Sequence, residues 1–145
     1  MGRVRPIGTL NFTLADLISN QNDFDADPSR LKFVGAYYDY WEARLAPEIL
    51  MTFLPTKTIV RAGADFAARV YTGRLSQNSD GSYKSSKLSQ ISESFFIEAS
   101  YPICRTVDLK FRTTWENTSS NTAFEQTYQY NYHDYNYFAG AGWRF

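Results

Sequence analysis

The carboxy-terminal eleven residues of the chain alternate between two kinds of side chain. One set consists of Tyr135, Tyr137, Ala139, Ala141, Trp143 and Phe145, and the intervening set consists of Asn136, Phe138, Gly140, Gly142 and Arg144. A period of two residues is that of a β-strand whose two faces meet different surroundings. The first face has aromatic rings at both ends and small residues between them, as a strand that crosses a membrane needs.

In this stretch the chain resembles the closing strand of a bacterial outer-membrane β-barrel, a class of proteins whose last residue is characteristically Phe. The resemblance rests on Tyr137, Ala139, Ala141, Trp143 and Phe145. It implies an all-β fold, namely an antiparallel up-and-down transmembrane β-barrel or its carboxy-terminal part, as a single domain over residues 1–145. It also implies location in the bacterial cell outer membrane. The implied partners are outer-membrane lipid and the barrel-assembly machinery, which would engage the carboxy-terminal strand.

The composition agrees with this interpretation. Aromatic residues make up 17% of the chain, yet its mean hydropathy is only −0.43. This combination is expected of a barrel, because only alternate residues of each strand face lipid. No run of about eighteen apolar residues is present, which excludes a transmembrane helix. The formal net charge is zero, so composition gives no electrostatic case for binding nucleic acid.

The amino terminus lacks the long apolar segment and cleavage site of a signal peptide. An exported protein needs such a segment. We therefore expect either that Met1 was introduced as a start or that the chain is the carboxy-terminal part of a longer protein.

Alternation and turn residues together predict six strands, at 5–17, 31–54, 57–78, 83–103, 106–117 and 124–145. The turns at 54–57 and 104–106 are short and the other connections are longer and polar, which fits short periplasmic turns and long outer loops. Six strands are fewer than the eight of the smallest barrels. Either two further strands of this chain are not apparent from the alternation, or other chains or a missing amino-terminal part would complete the barrel.

Two of these segments have alternatives. The strand 31–54 would span roughly 80 Å at about 3.3 Å per residue, so its outer half is expected to project beyond the bilayer. Residues 41–53 also fit a helix, although Pro47 argues against it. Residues 12–19 fit a helix as well, with Thr13 as its cap.

The turns also predict how neighbouring strands pair. Asp80-Gly81 predicts a two-residue type I′ hairpin, which places Phe66 opposite Phe95. A three-residue loop at 104–106 places Glu98 opposite Arg112 as an ion pair. Both registers keep the apolar sets of adjacent strands on one face, and a slip by one residue would invert one of them.

The alternation divides the strand residues into two sets. The predicted lipid-facing residues are Val60, Ala62, Ala64, Phe66, Phe95, Ile97, Tyr101, Val107, Leu109, Phe111, Trp115, Tyr137, Trp143 and Phe145. The predicted lumen-lining residues are Arg44, Glu48, Arg61, Asp65, Arg69, Glu98, Lys110, Arg112 and Arg144. In a pore the second set would determine the polarity of the lumen and its preference among ions.

Catalytic and metal-binding patterns are weak. His133 is the only histidine, and no Gly-x-Ser-x-Gly motif accompanies it, so we interpret it as an exposed residue near a strand start. Asp23, Asp25 and Asp27 fill three positions of a calcium loop, but the glycine and the closing glutamate are missing, which favours a solvated loop. The single Cys104 forms neither an internal disulfide nor a metal cluster. We predict no enzymatic activity, no cofactor and no metal.

The function predicted from the sequence is that of a passive pore or export conduit across the bacterial outer membrane. A barrel that acts only as a membrane anchor or a surface adhesin is the first alternative. The second is a soluble lipid-binding barrel of the lipocalin type, in which the same apolar face would be the core. Periodicity alone does not distinguish an apolar outer face from an apolar inner one.

Overall fold

The computed structural model describes residues 3–24, 33–126 and 129–143, and its regular structure is entirely β. The strands are β1 (Val4–Leu17), β2 (Asp23–Phe24), β3 (Phe33–Val34), β4 (Tyr40–Phe53), β5 (Thr58–Gln77), β6 (Tyr83–Pro102), β7 (Val107–Ser120) and β8 (Tyr132–Trp143). The helices considered for 12–19 and 41–53 are wrong, because these residues lie mainly in β1 and in β4. Within the described residues, no helix has the length and hydropathy needed to cross a membrane.

Six of the strands form one antiparallel sheet, in which each long strand pairs with the next along the chain. The order is β1-β4-β5-β6-β7-β8, and β2 and β3 form a separate small hairpin. The connections at 54–57 and 103–106 lie at one end of the sheet, which we call the turn end, and their positions confirm the two short turns. The opposite end, which we call the loop end, carries the connections 18–39, 78–82 and 121–131.

The six strands do not close into a barrel. β1 pairs only with β4 and β8 only with β7, so each of them leaves one edge of the sheet open. Successive strands alternate in direction, and β1 and β8 therefore run antiparallel to each other. The predicted all-β, up-and-down antiparallel sheet of six strands is confirmed, and the sheet itself is open.

The predicted strand 31–54 is wrong in its first part, where β3 pairs with β2 and the long strand β4 begins only at Tyr40. Between β3 and β4, residues 35–38 form a turn. Within it Ala36 has a φ of 58°, and its N–H donates to the side-chain oxygen of Asn22 at 2.9 Å. A positive φ interrupts an extended chain, so one continuous alternating phase did not mean one strand.

The predicted strand 124–145 is also shorter, since β8 begins at Tyr132. In the segment before it, the N–H of Ala123 donates to the carbonyl of Gln77 on β5 at 2.8 Å, and Phe124, which is only 2% exposed, packs beside Gly81 in the turn after β5. The Glu125 carboxylate accepts hydrogen bonds from the N–H groups of the two residues before β8, at 3.1 and 2.8 Å. Predicted features at 25–32, 127–128 and 144–145 lie outside the described residues.

The two predicted registers have different outcomes. Between β6 and β7 the observed pairing follows the prediction throughout, with Glu98 opposite Arg112. Between β5 and β6, the residue opposite Phe95 is Ala64 and not the predicted Phe66. The same offset holds along most of the ladder, so the predicted register is wrong by two residues. A shift of two residues leaves every side chain on its original face, and the assignment of faces is therefore unaffected.

The error in register comes from the turn after β5. Gly81 has a φ of 86°, but Asp80 does not have the positive φ that a type I′ turn also requires. The N–H of Gly81 donates to the carbonyl of Asn78 at 3.0 Å, and the N–H of Asn78 donates to that of Ser82 at 2.8 Å. The turn is therefore wider than predicted, and two register shifts follow it between Val70 and the end of β5.

Buried side chains are concentrated at the loop end. Leu88 is 1% exposed and forms a small cluster with Tyr71 and Tyr130, against which Tyr40 packs. Every buried residue of the described part of the chain lies in or beside the loop-end segments. Away from this end, the sheet presents two accessible faces of opposite character.

Candidate functional site

One face of the sheet, which we call the apolar face, is apolar across the middle of all six strands. Directly paired residues of antiparallel strands point to the same side, so the pairing assigns the faces. Val60 pairs with Ala99, Ala99 with Phe111, and Phe111 with Ala139. The same assignment places every described member of the predicted lipid-facing set here, namely Val60, Ala62, Ala64, Phe66, Phe95, Ile97, Tyr101, Val107, Leu109, Phe111, Trp115, Tyr137 and Trp143. Phe145 lies outside the described residues.

The apolar face continues across β4 and β1, beyond the predicted set. Leu45 lies opposite Phe66 on one side and opposite Phe12 on the other. Phe12 is 65% exposed, and its neighbour on the same face, Leu14, is 69% exposed. In the sequence, apolar residues alternate with Asn and Thr at 10–14, and this pattern could have assigned Phe12 and Leu14 to the apolar face.

The apolar face has the height of a bilayer core. From Val60 to Val70 it spans ten residue steps, about 33 Å along the strand, or roughly 25 Å across a membrane for a strand tilted by about 40°. Large aromatic side chains flank it at both ends. Phe53, Tyr101 and Trp143 lie towards the turn end, and Trp41, Trp115 and Tyr135 lie towards the loop end.

The loop-end boundary of the apolar face differs between strands. On β5 apolar residues continue to Val70. On β6 the charged Glu93 lies opposite Phe66, and the exposed Ile91 lies beyond it, opposite Ala68. A polar row runs from Glu93 through Asn117 on β7 to His133 on β8.

The opposite face, which we call the polar face, carries the charged side chains. All described members of the predicted lumen-lining set lie on it, namely Arg44, Glu48, Arg61, Asp65, Arg69, Glu98, Lys110 and Arg112. Arg144 lies outside the described residues. The charges therefore separate from the apolar residues by face, as the alternation predicts.

Ion pairs connect four neighbouring strands across the polar face. Arg61 on β5 lies 2.8 Å from Glu48 on β4 and 4.0 Å from Glu98 on β6. Glu98 also lies 3.5 Å from Arg112 on β7, which confirms the predicted pair. Two carboxylates and two arginines thus form a chain across three strand boundaries, so the charges in the middle of the polar face largely compensate one another.

Two further ion pairs join β4 and β5 nearer the loop end. Arg44 lies 2.7 Å from Asp65, and Arg69 lies 2.6 Å from Glu42. Glu42 was not among the predicted lumen-lining residues. Its even position, in phase with Arg44 on the same strand, was the pattern that could have identified it.

An aromatic ring occupies the middle of the polar face. Phe96 packs over Gly63 on the neighbouring strand, where an added Cβ would come within 2.6 Å of the ring. The guanidinium groups of Arg61 and Arg112 lie 5.8 and 5.1 Å from the ring centroid, close enough for cation–π attraction. The ring therefore helps to hold both arginines in the ion-pair chain.

A pocket of about 550 Å³ lies at the loop end of the polar face. Arg69, Ser92, Thr118 and Tyr132, from four successive strands, contribute to its lining together with residues of the loops. The loop segments thus enclose this pocket against the polar face of the four strands.

The residues considered from the sequence as catalytic or metal-binding candidates either lie outside this pocket or are hydrogen-bonded to other side chains. His133 lies on the apolar side at the polar boundary row, and Cys104 is exposed at the turn end. Asp23 accepts a hydrogen bond from the Tyr38 hydroxyl at 3.0 Å, and Asp25 and Asp27 lie outside the described residues. In the described part of the chain, no three His, Cys, Asp or Glu side chains are grouped so as to hold a metal ion.

The arrangement has a simple chemical capacity. Its apolar face can pack against hydrocarbon chains and exclude water from them, and its polar face can bind water and polar solutes. Comparison of the chain with protein-family models, with characterised proteins and with solved structures finds no significant match.

Proposed function

We propose that the sheet forms part of the wall of a transmembrane β-barrel in the bacterial outer membrane, with its polar face lining a passive pore or export conduit. The observation that carries this proposal is the apolar face, which extends across all six strands from β1 to β8. The proposal assigns the chain transport or passage of solutes and no enzymatic activity.

Exposure of the apolar face supports a lipid environment. Leu10, Phe12, Tyr137 and Trp143 are 68%, 65%, 73% and 70% exposed, and they come from strands at the two edges of the sheet. Monomeric soluble proteins rarely expose a contiguous apolar patch larger than a few hundred Å². Lipid chains would cover such a face, and the flanking aromatic residues suit the two membrane interfaces.

The placement of the loop-end segments favours a lipid-facing exterior over a soluble lipid-binding barrel. In a barrel of the lipocalin type the apolar face would line the interior and would enclose the ligand. Here the loop-end segments pack on the polar face and enclose a pocket there, which suits an interior position for the polar face. The tryptophans Trp41, Trp115 and Trp143 also lie at the ends of the apolar stretches of their strands, as the two membrane interfaces would favour, whereas Phe66 and Phe95 lie between these ends.

Completion of the barrel requires further strands. β1 and β8 are antiparallel edges, so an all-antiparallel barrel can be closed only by adding an even number of strands. Six strands are below the minimum of about eight known for membrane barrels. We propose that other chains, or an amino-terminal part of a longer protein, provide these strands, and that the barrel-assembly machinery engages the carboxy-terminal strand.

An anchor or adhesion barrel is the second candidate. It is favoured by the loop-end segments, which pack against the polar face around Tyr71, Leu88 and Tyr130. A barrel whose lumen is filled in this way would hold the protein in the membrane without conducting ions.

Two measurements on the purified chain test the proposal. We expect it to need detergent or lipid to remain folded and monodisperse, with heat-dependent mobility in a denaturing gel. We then expect stepwise conductance in planar bilayers. A stable monomer in plain buffer would contradict the membrane assignment and favour the soluble barrel, and a folded, detergent-dependent protein without conductance would favour the anchor.

A further inference from the structure

The pocket at the loop end contains a buried arginine, Arg74, which is 7% exposed. We propose that this pocket binds a small polar ligand through one anionic group, a phosphate or a carboxylate, which pairs with Arg74. The proposal does not depend on whether the sheet belongs to a pore or to an anchor. It assigns the pocket a ligand of defined charge.

Arg74 differs from the other arginines that point to the polar face. Arg44, Arg61, Arg69 and Arg112 each have a carboxylate within 4.0 Å. Arg74 is more buried than any of them, yet no carboxylate of the described residues lies within that distance of it. Burying a cation without an anionic partner is costly, because water no longer compensates its charge.

Aromatic rings supply part of the missing compensation. The Arg74 guanidinium lies 4.1 Å from the ring centroid of Tyr37, 5.1 Å from that of Tyr71 and 5.4 Å from that of Tyr130. It also donates a hydrogen bond to the Tyr130 hydroxyl, whereas its Nε is buried without a hydrogen-bond partner. Cation–π contacts and one neutral acceptor fix the side chain in place, but within residues 3–24, 33–126 and 129–143 they leave its positive charge without a counter-ion.

The other charged groups of the pocket restrict the ligand further. Arg69 is already paired with Glu42 at 2.6 Å. Asp23 and Glu116 accept hydrogen bonds from tyrosine hydroxyls, at 3.0 and 3.1 Å, and both also line the pocket. These two carboxylates would repel a second anionic group, and they can accept hydrogen bonds from hydroxyl or amino groups. The pocket therefore favours a ligand with one anionic group and several hydrogen-bond donors.

The pocket has the dimensions for such a molecule. Its volume of about 550 Å³ falls within the roughly 300–1,000 Å³ typical of small-molecule sites. Gln90, which accepts a hydrogen bond from the Tyr71 hydroxyl at 3.1 Å, also lines it and keeps amide hydrogens for a ligand. Arginine suits the anionic end, because its planar donors match the geometry of phosphate and carboxylate.

Titration calorimetry on the full chain in detergent tests the proposal, with inorganic phosphate, glycerol 3-phosphate and acetate as probes. We expect saturable binding of phosphate or glycerol 3-phosphate, and we expect R74Q to weaken it by at least about tenfold. R105Q is the matched control, since Arg105 is exposed at the turn end and its replacement removes the same charge. Binding should be unchanged in R105Q.

R74K provides a second variant that keeps the charge but loses the planar fork, and it should bind with intermediate affinity. Tighter binding of glycerol 3-phosphate than of inorganic phosphate would identify an esterified phosphate as the ligand, and the reverse would identify free phosphate. The proposal is overturned if none of the three probes binds saturably to the unaltered chain. It is equally overturned if R74Q and R105Q, both folded by gel mobility, bind alike. Bilayer conductance does not enter either outcome, so the proposed function is tested separately.

Discussion

An arginine placed in the middle of the apolar face should destabilise the protein strongly in lipid. Ala64 lies near the midpoint of the apolar span on β5, opposite Phe95 and on the same face as Phe66. An arginine at the bilayer midplane of a membrane barrel costs about 2–4 kcal/mol. Since about 1.4 kcal/mol is a factor of ten, A64R should lower the folding equilibrium constant roughly thirty-fold to a thousand-fold.

The matched control is S94R, on the polar face at the same height. Ser94 lies directly opposite Asp65, the chain neighbour of Ala64, and opposite Glu116 on its other side. An arginine there would meet two carboxylates at a hydrated surface, so its effect should stay within about 0.5 kcal/mol. The pair of variants therefore compares the same new side chain on the two faces of one sheet.

Reversible urea unfolding in lipid vesicles, followed by tryptophan fluorescence, measures both free energies. The cost of A64R should also decrease in bilayers of shorter-chain lipid, which bring the interface closer to Ala64. If A64R and S94R destabilise equally, the assignment of the apolar face to lipid is wrong. If A64R destabilises to the same extent in every bilayer thickness, the face packs against protein instead.

Three other predictions concern the polar face, the loop end and the turn end. Replacing Glu98 by Gln leaves the charges of Arg61 and Arg112 less compensated. In a conducting barrel, E98Q should therefore shift the reversal potential measured in a KCl gradient in the direction of greater anion selectivity. An unchanged reversal potential would place the ion-pair chain outside the conducting path. Hydrogen bonds, chiefly from the Asn131 side chain, hold the pKa of the Glu125 carboxyl below its ordinary value. A lowered carboxyl pKa means that this stabilisation is present at neutral pH and is lost as pH falls through the pKa of the folded state. Protection of the adjoining amides, measured as hydrogen exchange relative to the intrinsic rate at the same pH, should therefore fall in acid. In E125A this protection should be low at neutral pH as well. Cys104 is exposed at the turn end, which faces the periplasm if the short turns are periplasmic. A membrane-impermeant maleimide should then label Cys104 in cells only after the outer membrane is permeabilised. Labelling of intact cells would place the turn end at the cell surface instead.

The parts of the fold that follow from local patterns could be predicted from the sequence. Alternation placed the long strands and assigned their faces, because the period of two is set by each strand alone. The β6–β7 register was predictable since the loop at 104–106 leaves little choice. The β5–β6 register was not, because it depends on whether Asp80 as well as Gly81 adopts a positive φ, and only Gly81 does.

Features that depend on contacts distant in sequence could not be predicted. Arg74 and Tyr130 are 56 residues apart, and nothing local indicates that they meet. The loop before β8 looked like a continuing strand because its aromatic residues alternate, whereas Phe124 is in fact buried beside Gly81 in the turn after β5. The pocket was missed for the same reason, since its lining comes from segments throughout the chain.

The sequential order of the sheet has a consequence for its mechanical behaviour. Each long strand is held by its neighbours along the chain, and β1 is held by a single ladder to β4. A force applied to the amino-terminal end would therefore separate one ladder at a time, as a zipper opens, rather than shear several ladders together. Pulled from a bilayer by a cantilever, the chain should yield a series of modest force peaks. At each peak the free chain should lengthen by the strand and the connection that were released, so the steps should differ as the lengths of these segments differ.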